Sequence, residues 1–280
     1  MAEAALDRDV LLAGLTDLAV CAGLVIMEFF RVECAVETKK DASPVTAADR
    51  AAEGLILEGL RRLAPGTPVI AEEEVEAGRT PRVGRDFFLV DPLDGTKEFV
   101  RGGTDFTVNI ALIEALTPSL GVIYAPARGQ LWWGDAMARR AWSARQAPGG
   151  ERGKPVRIAV APVANPLRAV ASKSHMTAPT EAWLAAAGVG RRVSVGSSLK
   201  FALLAQGKAD VYPRPAPTKE WDTAAGDAIL RAAGGRVFDL DGGVLAYGKA
   251  GFFNPGFVAT GPYEPEPLAP YLAAGRGAPE

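Results

Sequence analysis

Apolar and polar positions alternate between helical and extended spacing along the 280 residues of this chain. The spacing predicts helices over 9–33 and 47–64. The second opens at Thr46-Ala47-Ala48-Asp49 and is stopped by Pro65-Gly66-Thr67-Pro68. The run Val69-Ile70-Ala71 predicts a short strand that ends in Glu72-Glu73-Glu74. Residues 75–85, with Gly78, Pro81 and Gly84, predict an exposed loop. Strands follow near 86–91, 106–114, 119–125, 130–134 and 139–143. Gln146–Pro155 is rich in Gly, Pro and charge, and marks a join between sub-domains at 1–150 and 151–280. Beyond it, short strands (156–160, 168–172, 191–195, 209–213) alternate with helices (178–187, 198–206, 222–234). The pattern predicts an α/β protein, with an α+β first half and an α/β second half. It contains no internal repeat.

Leu11–Phe30 is mostly apolar and as long as a membrane span. Asp17, Glu28, Thr16 and two glycines interrupt it, and charged residues flank it. A buried amphipathic helix is the expectation, with no transmembrane segment and peripheral membrane contact left open. The chain is 48% hydrophobic, enough for a substantial core, and its net charge of −2 argues against a nucleic-acid polymer as partner. Cys21 and Cys34 form no metal or disulfide pattern, and the first residues lack the basic region of a signal peptide. Both point to a reducing, cytoplasmic compartment.

The chemistry concentrates in Asp91-Pro92-Leu93-Asp94-Gly95-Thr96, after the apolar run Phe87-Phe88-Leu89-Val90 and before a short helix from Lys97. Two carboxylates and a backbone carbonyl at a strand end suit a hard divalent cation such as Mg2+. The plain alternative is a turn, since Asp, Pro and Gly are common turn residues. Glu72-Glu73-Glu74 repel one another unless a cation is near. Asp49 and Asp222 both stand near helix starts, where the dipole favours acids anyway.

Taken together, these motifs resemble the inositol monophosphatase superfamily of metal-dependent, lithium-sensitive phosphatases. The shared marks are Glu72-Glu73, Asp91–Thr96 and Trp221-Asp222, in that order. Within it the chain is most similar to the 3'(2'),5'-bisphosphate nucleotidases of the CysQ type. That similarity rests on Ser43–Asp49, Lys97-Glu98-Phe99, Phe106–Ile113, Ser172-Lys173-Ser174-His175, Gly196–Phe201, Trp221–Gly226 and Phe253–Phe257. It spans about residues 9–260, and Glu74 departs from the Ser or Asp of many relatives.

The resemblance implies a layered αβαβα fold. It implies that Glu72, Asp91 and the Leu93 carbonyl hold one Mg2+, that Asp91, Asp94 and Asp222 hold a second, and that a third, weaker ion is shared through Glu72. Two such ions would activate a water and stabilise the leaving oxygen. Thr96 and Asp49 would orient and deprotonate that water, with Glu72 assisting. The substrate would meet Glu72, Leu93, Asp94, Gly95, Thr96 and Asp222, and His175, Lys200 and Arg214 would hold the nucleotide and its second phosphate. The implied reaction is adenosine 3',5'-bisphosphate plus water giving AMP and phosphate, with the sulfated analogue as a further substrate in sulfur metabolism. An inositol or sugar monophosphatase is the alternative on the same metal site. A non-catalytic sensor of phosphorylated metabolites is the alternative of another class. Oligomeric state stays open.

Overall fold

The structure, a computed structural model, describes residues 7–30, 36–38, 44–171 and 177–274. Helix α1 (Arg8–Phe30) is followed by the antiparallel pair β1 (Val36–Thr38) and β2 (Pro44–Thr46), and by helix α2 (Ala47–Leu63). By length and composition α1 is apolar enough to cross a membrane. Here one stripe of it, including Leu12, Leu15, Ala19, Ala22 and Ile26, is buried in a core shared with α2. The two helices come close because α2 carries Gly59. A Cβ there would stand 2.1 Å from Cδ2 of Leu18.

Strand β3 (Val69–Ala71) leads into α3 (Glu72–Glu76) and then, in parallel, β4 (Phe87–Asp94). The acidic run is thus the first turn of a short helix, where the dipole favours it, and only the rest of 75–85 is loop. Helix α4 (Thr96–Val100) precedes an antiparallel meander of β5 (Thr107–Glu114), β6 (Thr117–Ala125), β7 (Gln130–Asp135), β8 (Arg140–Arg145) and β9 (Val156–Ile158). Together these make a seven-stranded sheet in the order β3-β4-β5-β6-β7-β8-β9. The stretch 146–155 connects β8 to β9, so this sheet takes its last strand from beyond it.

The second half runs β10 (Leu167–Ala171), α5 (Ala178–Ala186), β11 (Val189–Ser194), α6 (Leu199–Ala205), β12 (Val211–Arg214), β13 (Thr218–Lys219) and α7 (Ala224–Ala232). Then come β14 (Arg236–Phe238), β15 (Phe253–Asn254), β16 (Phe257–Thr260) and α8 (Ala269–Ala274). Five strands form a second sheet, β11-β10-β12-β16-β14, and β13 pairs with β15 beside it. The short pieces β14, β15, β16 and α8 have no counterpart in the sequence pattern, being too brief to show a period.

Packing orders these parts into five layers. Helices α1 and α2 cover one face of the large sheet. Helices α6 and α7 fill the space between the two sheets, and α5 and α8 cover the far side of the small one. This is the expected αβαβα arrangement. The fit of α7 on the large sheet depends on two small residues. A Cβ at Gly121 of β6 would lie 2.4 Å from the Ala225 carbonyl oxygen, and one at Gly134 of β7 would lie 2.8 Å from the Ala232 Cβ.

Candidate active site

The site begins with a change of register at the end of β4. In a regular strand, residues three apart point to opposite faces. Here Asp91 pairs with Asn109 and Asp94 with Thr107, with an irregularity between them. One extra residue on β4 is a bulge, and it brings both acids to the same face. Pro92, which has no N–H for the ladder, sits within it. Parallel pairing sets Ala71 opposite Val90, so Glu72 stands beside Asp91 at the same rim. Gly95 then turns the chain into α4 at φ +97°, a conformation suited to glycine. A Cβ there would also stand 2.8 Å from the Asp105 carbonyl oxygen.

Asp94 is held from the second half of the molecule. Its Oδ2 accepts from Ser197 Oγ at 2.6 Å, Ser198 N at 2.7 Å and Ser198 Oγ at 2.8 Å. Asn109 Nδ2 reaches the same oxygen at 3.4 Å. Ser198 Oγ also lies 3.1 Å from the Asp222 carbonyl oxygen, which joins the two acids' segments. Asp222 stands just before α7, where Oδ2 accepts from Thr218 Oγ1 and from the Lys219 N–H at 3.0 Å. Burial, and then the charge of Asp94, push the Asp222 carboxyl up to about 6. Asp91 is buried, and its Oδ1 accepts from the Leu93 N–H at 3.0 Å.

Asp49 and Thr96 lie within hydrogen-bond reach of each other. The capping box of α2 has the Thr46 N–H and hydroxyl both donating to Asp49 Oδ2, at 2.8 and 2.6 Å. That leaves Oδ1 toward Thr96, whose hydroxyl lies 3.1 Å from it and 3.1 Å from the Leu93 carbonyl oxygen. One turn further along α2, buried Glu53 accepts from the Glu73 N–H at 2.8 Å and so caps α3. Burial pushes its carboxyl up to about 7, and the charges of Glu73 and Glu74 add to the rise against that hydrogen bond. Sequence reasoning missed Glu53, although its place four residues after Asp49 puts it on the same face of α2.

A cleft of about 600 Å³ opens over Asp94 and Asp222, lined also by Lys97, Arg101, Asp105, Lys200 and Arg214 among others. Lys200 is buried, donates to the Ser197 carbonyl oxygen at 2.7 Å, and lies 5.4 Å from the centre of the Tyr212 ring. Arg214 ends β12, and its buried Nε meets no hydrogen-bond partner among the described residues. His175, with Ser172-Lys173-Ser174, lies outside the described residues.

Among the described residues, no three acidic, histidine or cysteine side chains converge as a ready-made cation cage. The backbone brings the expected acids to one rim, and their oxygens are turned onto hydroxyl and N–H donors. The donor set still fits a hard cation. It is oxygen-only and at least partly buried, and burial first and then the charge of a neighbouring acid raise its energy, as the Asp222 carboxyl shows. Ser197, Ser198 and Thr218 were not singled out from the sequence as holders of these acids. The spacing of Thr218 four residues before Asp222 was a weak sign.

Comparison with known proteins agrees with this architecture. The inositol monophosphatase family profile matches residues 7–270. The 3'(2'),5'-bisphosphate nucleotidase CysQ of Salmonella typhimurium is 47% identical over 223 residues, covering 79% of this chain and 87% of that protein. The histidinol-phosphatase of Mycobacterium tuberculosis is 36% identical over 241 residues, covering 84% and 89%. The crystal structure of CysQ from Bacteroides thetaiotaomicron, a bacterial member of the same family, superposes with a TM-score of 0.74 at 36% identity, covering 90% of this chain and 97% of that one. This chain belongs to the inositol monophosphatase family.

Proposed function

We propose that this protein is a Mg2+-dependent phosphatase that removes the 3'-phosphate of adenosine 3',5'-bisphosphate, giving AMP and phosphate. The observation that carries the substrate class is the pair Lys200 and Arg214 in the same cleft as Asp94 and Asp222. Acids that suit a cation-bound phosphate therefore lie next to two cations suited to a second anion. Histidinol phosphate would bring an ammonium toward those cations, and inositol monophosphate would bring no charge to them. The nucleotidase name of the Salmonella relative supports the same reading. The sulfated analogue of the bisphosphate would fit the same seats.

Two Mg2+ ions, held by Glu72, Asp91, the Leu93 carbonyl, Asp94 and Asp222, would supply charge for the attacking water and the leaving oxygen. The chain's own residues do the rest. The capping box fixes Asp49 on Oδ2 and presents Oδ1 to Thr96. Thr96 Oγ1 can then take a proton from a water while giving its own to Asp49 Oδ1, with Glu72 at the same rim. The Gly95 and Thr96 amides would meet phosphate oxygens, and Lys200, Arg214 and His175 would hold the nucleotide end. The site would thus lie between an N-terminal sub-domain with most of the acids and a C-terminal one that completes it.

Phosphate release tests this reading. The substrates to compare are the bisphosphate, its sulfated analogue, inositol monophosphate, histidinol phosphate and fructose bisphosphate. The expected result is a preference for the bisphosphate, dependence on Mg2+, and inhibition by Li+ and Ca2+. Full turnover in excess chelator would overturn the metal assignment, and a preference for inositol monophosphate would overturn the substrate.

A further inference from the structure

The two turns that bracket Asp94 both rest on one residue outside the motifs, Asp105, in the loop between α4 and β5. Its Oδ2 accepts from the Gly196 N–H at 2.9 Å. Its Oδ1 pairs with the guanidinium of Arg128, at the end of the turn that follows β6. Its carbonyl oxygen packs on Gly95, where a Cβ would come within 2.8 Å. A Cβ at Gly196 would stand 2.8 Å from the Asp105 Cβ. Asp105 thus packs against both glycines, adding to the positive φ that already favours glycine at 95.

Gly196 opens the turn that grips Asp94. Next to it Ser197 has φ +54°, a left-handed conformation that is unfavourable for a residue other than glycine. Such a conformation persists only where its surroundings over-determine it. On one side Ser197 and Ser198 bind Asp94 Oδ2. Ser197 Oγ also lies 2.6 Å from Thr107 Oγ1. On the other side the turn is anchored by the Gly196 N–H on Asp105. We propose that Asp105 is a positioning residue. Bridging Arg128 to the Gly196 N–H, it holds the 196–198 turn closed on Asp94 and so sets the direction of that carboxylate. The inference rests on the reading of Asp94 as a cation-holding acid.

The plain alternative is a solvent-facing ion pair with little consequence, since Arg128 is 38% and Asp105 19% exposed in their side chains. The two readings separate by experiment on the full chain. Three measurements are made on Asp105→Ala, Asp105→Asn and Arg128→Gln: Mg2+ affinity by calorimetry, hydrogen exchange of amides 196–198, and kcat/KM on the bisphosphate. Asp105→Ala is expected to lower Mg2+ affinity and kcat/KM by about ten- to a hundredfold, as loss of a residue supporting a metal ligand does. Exchange at 196–198 should quicken. Asp105→Asn keeps an oxygen for the Gly196 N–H and should recover most of the loss. Adding Ser198→Ala to Asp105→Ala should cost little beyond Ser198→Ala alone, because both act through Asp94.

Wild-type exchange at 196–198 in Asp105→Ala, or losses that simply multiply with those of Ser198→Ala, would overturn the proposal. If Asp105→Ala does not fold, Arg128→Gln carries the test. It should show a partial loss and quicker exchange, and unchanged exchange overturns the proposal. If the wild type binds no Mg2+, the reading of Asp94 fails, and the exchange measurement decides on Asp105 alone.

Discussion

Asp49 is held through one oxygen and presents the other to Thr96. Its Oδ2 belongs to the α2 cap and its Oδ1 faces Thr96. Thr96→Ala should therefore leave Mg2+ affinity nearly intact and lower kcat by about a hundredfold or more, the scale of lost proton relay. Calorimetric titration beside steady-state rates checks this, and equal losses in both would mean that Thr96 supports the metal site instead. Glu53 gives a pH prediction. Its folded carboxyl is pushed up to about 7 from an ordinary 4.5, so the folded chain keeps a proton that the unfolded chain loses. The stability this contributes is present below pH 4.5 and is lost as pH rises through 7, on the order of 3 kcal/mol in all. Glu53→Gln keeps an oxygen for the Glu73 N–H and has no charge to bury. Urea denaturation in excess chelator should show stability falling less steeply with pH in the variant than in wild type, because Asp222 still titrates near 6 in both, and the variant more stable than wild type at pH 8. Parallel pH curves for the two proteins would rule the account out. At this scale the sequence announced acids by type and motif, but not the hydroxyls that hold them. Serine and threonine are common everywhere, and only the fold brings Ser197 and Ser198 to Asp94.

At the scale of elements, α7 is the piece whose position matters most, because Asp222 stands just before its first turn. It rests on Gly121 of β6, where any Cβ would press on the Ala225 backbone at 2.4 Å. Gly121→Ala should therefore push α7 off the sheet, at a cost of about 1–3 kcal/mol in stability, and lower kcat/KM by moving Asp222. Chemical denaturation and kinetics on the one variant test both halves of the claim. A variant as stable and as active as wild type would show that the helix can shift without consequence. Most longer elements were legible because each shows a clear period: α1, α2, the meander, and β10 to α7 apart from the two-residue β13, whereas the five-residue α3 read as a strand end and loop. The β5–β6 turn was not legible. Ala115 and Leu116 both adopt positive φ there, at 51° and 63°, in a two-residue turn that usually announces itself by Asn-Gly. The short strands β14 and β16 were hidden for another reason. They hold three and four residues, and their pairing with each other and with β12 is a long-range contact with no local mark.

The whole molecule brings its charges to one place from both halves. Glu72 follows β3 and Asp91 and Asp94 end β4 of the large sheet, with Lys97 and Arg101 close behind, and the second half adds Asp222, Lys200 and Arg214. The α/β class was legible in the alternation of helix and strand, and the layer order in the family resemblance. The facing of acids and cations across one cleft was not, since it depends on how α6 and α7 pack between the sheets. That facing makes specificity separable from catalysis. The acids would act on the phosphate being cleaved in any substrate, whereas Lys200 and Arg214 would act on a group beyond it as well as on the acids themselves. Lys200→Ala or Arg214→Ala should each remove one charge-assisted contact, worth roughly 1.5–3 kcal/mol, about ten- to a hundredfold in kcat/KM. The loss should appear with adenosine 3',5'-bisphosphate and be nearly absent with inositol monophosphate, which has no second anion. Lys200 is the harder case, because it also binds the Ser197 carbonyl beside Asp94. Its removal can disturb the acid side as well, and would then lower both substrates. Arg214 meets no hydrogen-bond partner at Nε among the described residues, but its charge also acts on Asp222 and Asp94, so the two-substrate comparison is needed for it too. An equal loss on both substrates for Arg214→Ala would mean that this guanidinium balances the buried acids rather than reading the substrate.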